Sequence, residues 1–247
     1  MKRNLFIGGL VVVVMLIVLA PANLLRIALT QVAGVDLVKP EGTVWQGRGV
    51  LVANPGLSAN LAWQTQWQLS ESLTPYIHWQ LANSELSLQG KVVPGLSAQK
   101  VNIKGNFSGL ALKPVLAKYD ISIPGTFQLS PTELLVTTSG PTTEFELIDN
   151  SQLYWSGGNI RYVLSNGLEQ ANLPELNAAI KSAQGSLPKV LIELAENSTG
   201  PLLTLTPDRS GYVNIAITRG FIELVGRTWT GSAKSSDVVL EVKRKVF

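Results

Sequence analysis

Alternation of period two recurs along most of this 247-residue chain and constrains its fold more than any other feature. Leu86, Leu88 and Val92 point one way while Ser87, Gln89 and Lys91 point the other. Val101, Ile103 and Phe107 alternate with Asn102, Lys104 and Asn106, and Val213, Ile215 and Ile217 with Asn214, Ala216 and Thr218. Val238, Leu240 and Val242 alternate with Val239, Glu241 and Lys243 near the end. Successive side chains leave a pleated backbone on opposite faces, so each run reads as a half-buried strand. Asn54-Pro55-Gly56, Pro94-Gly95, Pro124-Gly125, Gly140-Pro141, Gly200-Pro201 and Ser210-Gly211 supply turns between the runs. The expected body is all-β, built of twisted antiparallel sheet. Helix is expected only at 113–118, where Pro114 suits a first turn, and at 174–182, where Leu176, Ala179 and Ile180 have helical spacing.

The first 25 residues break this pattern. Residues 5–20 contain no charged side chain, and the apolar character continues to Leu25 before Arg26. At ~1.5 Å per residue such a helix nearly spans the ~30 Å hydrocarbon core of a bilayer. Lys2 and Arg3 on one flank, against Arg26 on the other, place the amino terminus in the cytoplasm and the bulk outside it. In a bacterium this gives a single-pass inner-membrane protein with a periplasmic body. Ala20-Pro21-Ala22 also reads as a signal-peptide cleavage site, but the apolar run outlasts the usual ~7–15 residue core, which favours a retained anchor. The expected organisation is a cytoplasmic tip at 1–4, a transmembrane helix at 5–25, and β lobes at 30–118 and 119–247.

Composition excludes several classes. The chain has no cysteine, so disulfides and thiolate metal sites are absent. Its net charge of +3 is concentrated at Lys2, Arg3, Lys243, Arg244 and Lys245, leaving 15 basic and 17 acidic residues elsewhere. That balance gives no basic face for nucleic acid. His78 is the single histidine, in Tyr76-Ile77-His78-Trp79, on the side opposite Ile77 and Trp79. One histidine without cysteine makes no ordinary metal cluster, and no Gly-x-Ser-x-Gly elbow accompanies it. Glu144 and Glu146 alternate with Phe145 and Leu147 as on a solvated outer face. No catalytic, metal or cofactor residues are expected.

Tryptophan and glycine form the most distinctive local pattern. Gly42-Thr43-Val44-Trp45-Gln46-Gly47 echoes Gln152-Leu153-Tyr154-Trp155-Ser156-Gly157, and Val101-Asn102-Ile103 recurs as Val213-Asn214-Ile215 at nearly the same offset. Two matches in register suggest a duplicated β unit with its boundary near 117–124. In each Trp-x-Gly the glycine leaves room for the indole or for a neighbour across the sheet. Trp63, Trp67 and Trp79 share one parity and read as core, with an apolar trough for an acyl chain as the sharper alternative.

The cytoplasmic tip and single anchor, the segments Gly42-Thr43-Val44-Trp45-Gln46-Gly47-Arg48 and Leu153-Tyr154-Trp155-Ser156-Gly157-Gly158, Trp229-Thr230-Gly231, and an ending of Val238-Val239-Leu240-Glu241-Val242-Lys243-Arg244-Lys245-Val246-Phe247 together resemble the type II secretion system protein N (GspN) family. The resemblance implies a non-enzymatic inner-membrane accessory protein whose periplasmic β domain meets the inner-membrane platform and the secretin. It marks Trp45, Gly47, Trp155, Gly157 and Trp229 as structural or docking residues. The second expectation is a periplasmic lipid-binding or lipid-transfer groove, with the lobes curled into an AsmA-like half-pipe or open barrel.

Overall fold

The computed structural model describes residues 19–29, 34–54, 56–69, 73–95, 98–139, 142–164, 167–181, 187–196, 200–208 and 210–245. Lys2, Arg3 and most of the expected span fall outside them. Among the described residues no helix is long and apolar enough to cross a membrane.

The chain enters the body at Ala20, earlier than hydropathy predicts. Val44 donates to the Ala20 carbonyl at 2.9 Å, Pro21 bridges Thr43, and Ala22 is 2 % exposed against Leu37 and Trp63. Helix α1 (Asn23–Leu29) then lays Leu25 and Leu29 on the same cluster. Residues 20–25 therefore belong to the β body rather than to a span ending at Leu25, because the backbone of 20–22 pairs with the strand ends at Gly42–Val44 and Leu25 packs with Leu37 and Trp63. Arg26 closes this corner through a two-pronged ion pair to Asp36, at 3.0 and 3.1 Å.

Strands follow in sequence order: β1 (Val35–Gly42), β2 (Gln46–Ala53), β3 (Leu57–Leu69), β4 (Leu73–Ala82), β5 (Leu86–Val93) and β6 (Ala98–Ser108). A short excursion comes next, with 3₁₀ turns Gly109–Leu112 and Ala117–Tyr119 around helix α2 (Lys113–Leu116), where Pro114 opens the helix as expected. The strands resume with β7 (Thr126–Ser139), β8 (Thr142–Leu147), β9 (Ser151–Trp155), β10 (Gly158–Leu164), β11 (Gly167–Leu173), β12 (Leu176–Lys181), β13 (Lys189–Leu194), β14 (Leu203–Pro207) and β15 (Tyr212–Thr218). Helix α3 (Arg219–Leu224) and β16 (Val238–Lys245) complete the fold.

Fourteen strands form one antiparallel sheet ordered β1-β2-β3-β4-β5-β6-β7-β9-β12-β13-β14-β15-β16, with β8 also on β7. The long β7 takes two neighbours along one edge: β9 at Phe127–Leu129 and β8 at Leu134–Ser139. The sheet runs unbroken through the expected lobe boundary, since β6 and β7 pair across it. Hairpin β10–β11 forms a separate small sheet.

Within the expected helix at 174–182, Leu176–Lys181 is strand, not helix, and residue 182 lies outside the described residues. Leu176, Ala178 and Ile180 also fit a period of two, and β9 and β13 hydrogen-bond to β12 from both sides. Two helical turns on their own would be marginal, so the paired sheet wins.

Candidate docking edge and apolar trough

One face of the sheet carries a continuous cross-strand row of apolar residues and glycine. Leu61, Leu81, Leu88, Gly105, Leu129, Leu153, Ala178, Ile192, Leu203, Ile217 and Leu240 stand opposite one another, strand by strand, from β3 to β16. A parallel row runs Leu86, Phe107, Phe127, Trp155, Leu176, Leu194. Its rings stack, with centroids 5.0 Å apart for Phe107–Phe127 and 6.0 Å for Phe127–Trp155. Such cross-strand pairs are the unit that stabilises a sheet.

Little covers this face. Leu88, Leu129, Leu153, Ile192, Leu203 and Ile217 are only partly buried. Three small clusters are fully packed, around Trp63, Leu81 and Trp155. Over the last, the β10–β11 hairpin contributes Ile160 and Leu173, and α3 contributes Phe221. Between these and the sheet lies a cavity of about 250 Å³, lined by Ile123, Phe127, Leu153, Trp155, Ala178, Ile192, Leu203 and their apolar neighbours. The Trp155 indole N–H is donated to the Pro124 carbonyl at 2.7 Å.

The Trp–Gly elements hold the sheet together in a way local spacing does not show. Trp45 does not share a strand face with Gly47; it lies on the bend before β2 and is 39 % exposed. The indole beside Gly47 belongs to Trp63, its partner across β2–β3, and Trp63 donates its N–H to the Thr43 carbonyl at 3.1 Å. Trp79, opposite Trp63, lies over Gly90 in the same manner. Trp155 is buried on β9 and approaches Gly125, while Gly157 takes a positive φ of 75° as the chain leaves for the β10–β11 hairpin. Trp229 is half-exposed in the segment after α3, with Gly231 against its ring. Trp63 and Trp155 are both buried and each donates its indole N–H to a backbone carbonyl, whereas Trp45 is 39 % exposed.

The two ends of the sheet differ. β1 is interrupted by Pro40 and a register shift between Val38 and Glu41, and α1 packs on it. β16 is hydrogen-bonded to β15 along its length and carries Glu241, Lys243, Arg244 and Lys245. Lys243 is tied to Asp208 at 3.0 Å and lies 5.1 Å from the Tyr212 ring centre. Arg244 and Lys245 are exposed.

His78 falls on the polar face, opposite Lys91, as parity predicts. Glu144 and Glu146 are exposed on β8 on either side of Phe145. Among the described residues no three His, Cys, Asp or Glu side chains come together to hold a metal.

No family model, no curated protein and no solved structure matches this chain.

Proposed function

We propose that this chain is a non-enzymatic accessory subunit of a type II secretion machine, held at the bacterial inner membrane with its β body in the periplasm. The observation carrying this reading is the open sheet, whose last strand, β16, is paired on one side only among the described residues. Such an edge accepts a partner strand through backbone hydrogen bonds, and its basic residues select an acidic one. The motif resemblance supplies the identity of the machine; the platform and the secretin are the partners it implies. Photo-crosslinkers at Glu241 and Arg244, activated in intact membranes, capture platform or secretin subunits if this is right. Adducts with lipid alone, or none, reject it, as does unchanged exoprotein release after deletion of the gene.

A second reading has its own support. The continuous apolar row and the cavity at Trp155 suit a hydrocarbon chain, because the lining offers no free polar group and a peptide there would bury unpaired amides. On this reading the protein holds or passes lipid. Mass spectrometry of gently purified protein detects bound phospholipid if the trough is used.

A further inference from the structure

The opposite, polar face of β4–β7 carries a hollow of about 430 Å³. His78, Lys91, Asn102 and Glu133 form one cross-strand row through it. Lys100 and Lys104 lie two residues to either side of Asn102 on β6, so both are diagonal neighbours of Lys91. Diagonal positions on a sheet are within reach of long side chains, and like charges placed together there repel. None of the three lysines enters an ion pair among the described residues; Lys91 rests 4.9 Å from the Tyr76 ring centre. Glu133 is the one carboxylate in the lining.

The hollow has a backbone cause. Register between β6 and β7 slips at Ile103–Gly105, leaving Lys104 against Ser130 and Pro131, and Gly105 takes a φ of 145°. A bulge of this kind bends its strand and steepens the twist. Proline fits there because it has no amide hydrogen to leave unpaired.

We infer that this cleft binds a phosphate group. Three lysines against one carboxylate leave two positive charges unbalanced, and a phosphate monoester brings about −1.5 to −2 at neutral pH. Asn102 and Gln89 add amide donors to the ammonium groups. A compact anion suits the site better than a peptide strand, because β4, β5 and β6 are hydrogen-bonded on both sides and offer no free backbone. The phosphate belongs either to a phospholipid headgroup or to a soluble ester.

Calorimetric titration of the full-length chain with inorganic pyrophosphate, dihexanoyl phosphatidic acid and dihexanoyl phosphatidylcholine tests the assignment. Both phosphate-rich probes bind, and each weakens by about tenfold per lysine in Lys91→Gln/Lys104→Gln, while any phosphatidylcholine binding is unchanged. Tighter binding of phosphatidic acid than of pyrophosphate supports a lipid source; equal binding supports a soluble one. Absence of binding by both, or binding indifferent to the lysines, overturns the inference. Ligand-free Lys104→Gln melts no lower than the parent, since repulsion is relieved; a lower melting temperature makes the lysines structural and also overturns it.

Discussion

The indole of Trp63 occupies the space that Gly47 leaves on the neighbouring strand: a Cβ built at Gly47 stands 2.5 Å from Trp63 Cζ2 and closer still to the Glu41 carbonyl oxygen. Trp63 is anchored along this same edge of its indole by the hydrogen bond from Nε1 to the Thr43 carbonyl and cannot retreat without breaking it. Gly47→Ala therefore destabilises the fold by about 1–3 kcal/mol through overpacking, and Trp63→Ala by about 3–5 kcal/mol through loss of buried area. Urea midpoints give both values. A neutral Gly47→Ala leaves the close approach without energetic weight.

This contact also explains how much could be read from the chain. Strand existence was legible because apolar and polar residues alternate along each run, and in β5 that alternation matches a buried and a solvated face, as in Leu86–Val92. The partner of Gly47 was not, since cross-strand neighbours are set by hairpin register rather than by i, i+2 spacing. Segment 174–182 misled because Leu176, Ala179 and Ile180 satisfy a helical period while Leu176, Ala178 and Ile180 satisfy a strand period, and only the flanking strands decide. The β10–β11 hairpin alternates like its neighbours, so nothing local announces that it leaves the main sheet to cover Trp155. The basic cleft escaped for a similar reason: Lys91, Lys100 and Lys104 look like an ordinary solvated face until register gathers them.

Asp208 sits at the turn joining β14 to β15, where it accepts hydrogen bonds from the Ser210 hydroxyl, from Lys243 and from the Tyr212 and Ser210 amides. These contacts, the Ser210 hydroxyl foremost, hold its carboxyl well below the usual carboxylate range. A depressed folded-state value means that the contribution is complete above the unfolded value of about 3.9 and is lost as pH falls below it. Stability should therefore drop on acidification below about pH 4, and Asp208→Asn should flatten that part of the profile. Thermal melts of both proteins between pH 2 and about 6 decide the matter. Parallel profiles remove Asp208 as a contributor.

Thr65, opposite Ile77 on β4, is the one described side chain with a buried polar atom lacking a partner, its Oγ1. Replacing the hydroxyl by a methyl of similar shape removes a desolvated, unbonded group. Thr65→Val should stabilise the protein by about 1 kcal/mol, read as a higher urea midpoint at unchanged slope. A loss of stability places a hydrogen bond there.

Because Ala20 and Ala22 are hydrogen-bonded to Val44 and Gly42, the junction with the apolar N-terminal segment is part of the folded body. A chain beginning at Asn23 forfeits these bonds and exposes Leu37 and Trp63, which Ala22 covers. It should melt several degrees below a chain beginning at Leu19, since about 1 kcal/mol corresponds to 2–4 °C at this size. Equal melting temperatures make the junction dispensable.

The two functional readings separate at Ala178. This small side chain lies in the wall of the Trp155 cavity, between Leu153 on β9 and Ile192 on β13. A phenylalanine there points into the roughly 250 Å³ of space, so it fills volume rather than displacing neighbours. Filling a void restores contacts that its lining lacks, whereas overpacking a tight site costs about 1–3 kcal/mol. Ala178→Phe should therefore keep or raise stability while removing co-purified phospholipid. The exposed edge of β16 lies four strands away in the sheet order and should be unaffected. If Ala178→Phe also abolishes exoprotein release, lipid occupancy is part of the secretion role. Intact release without bound lipid leaves the docking edge as the working surface.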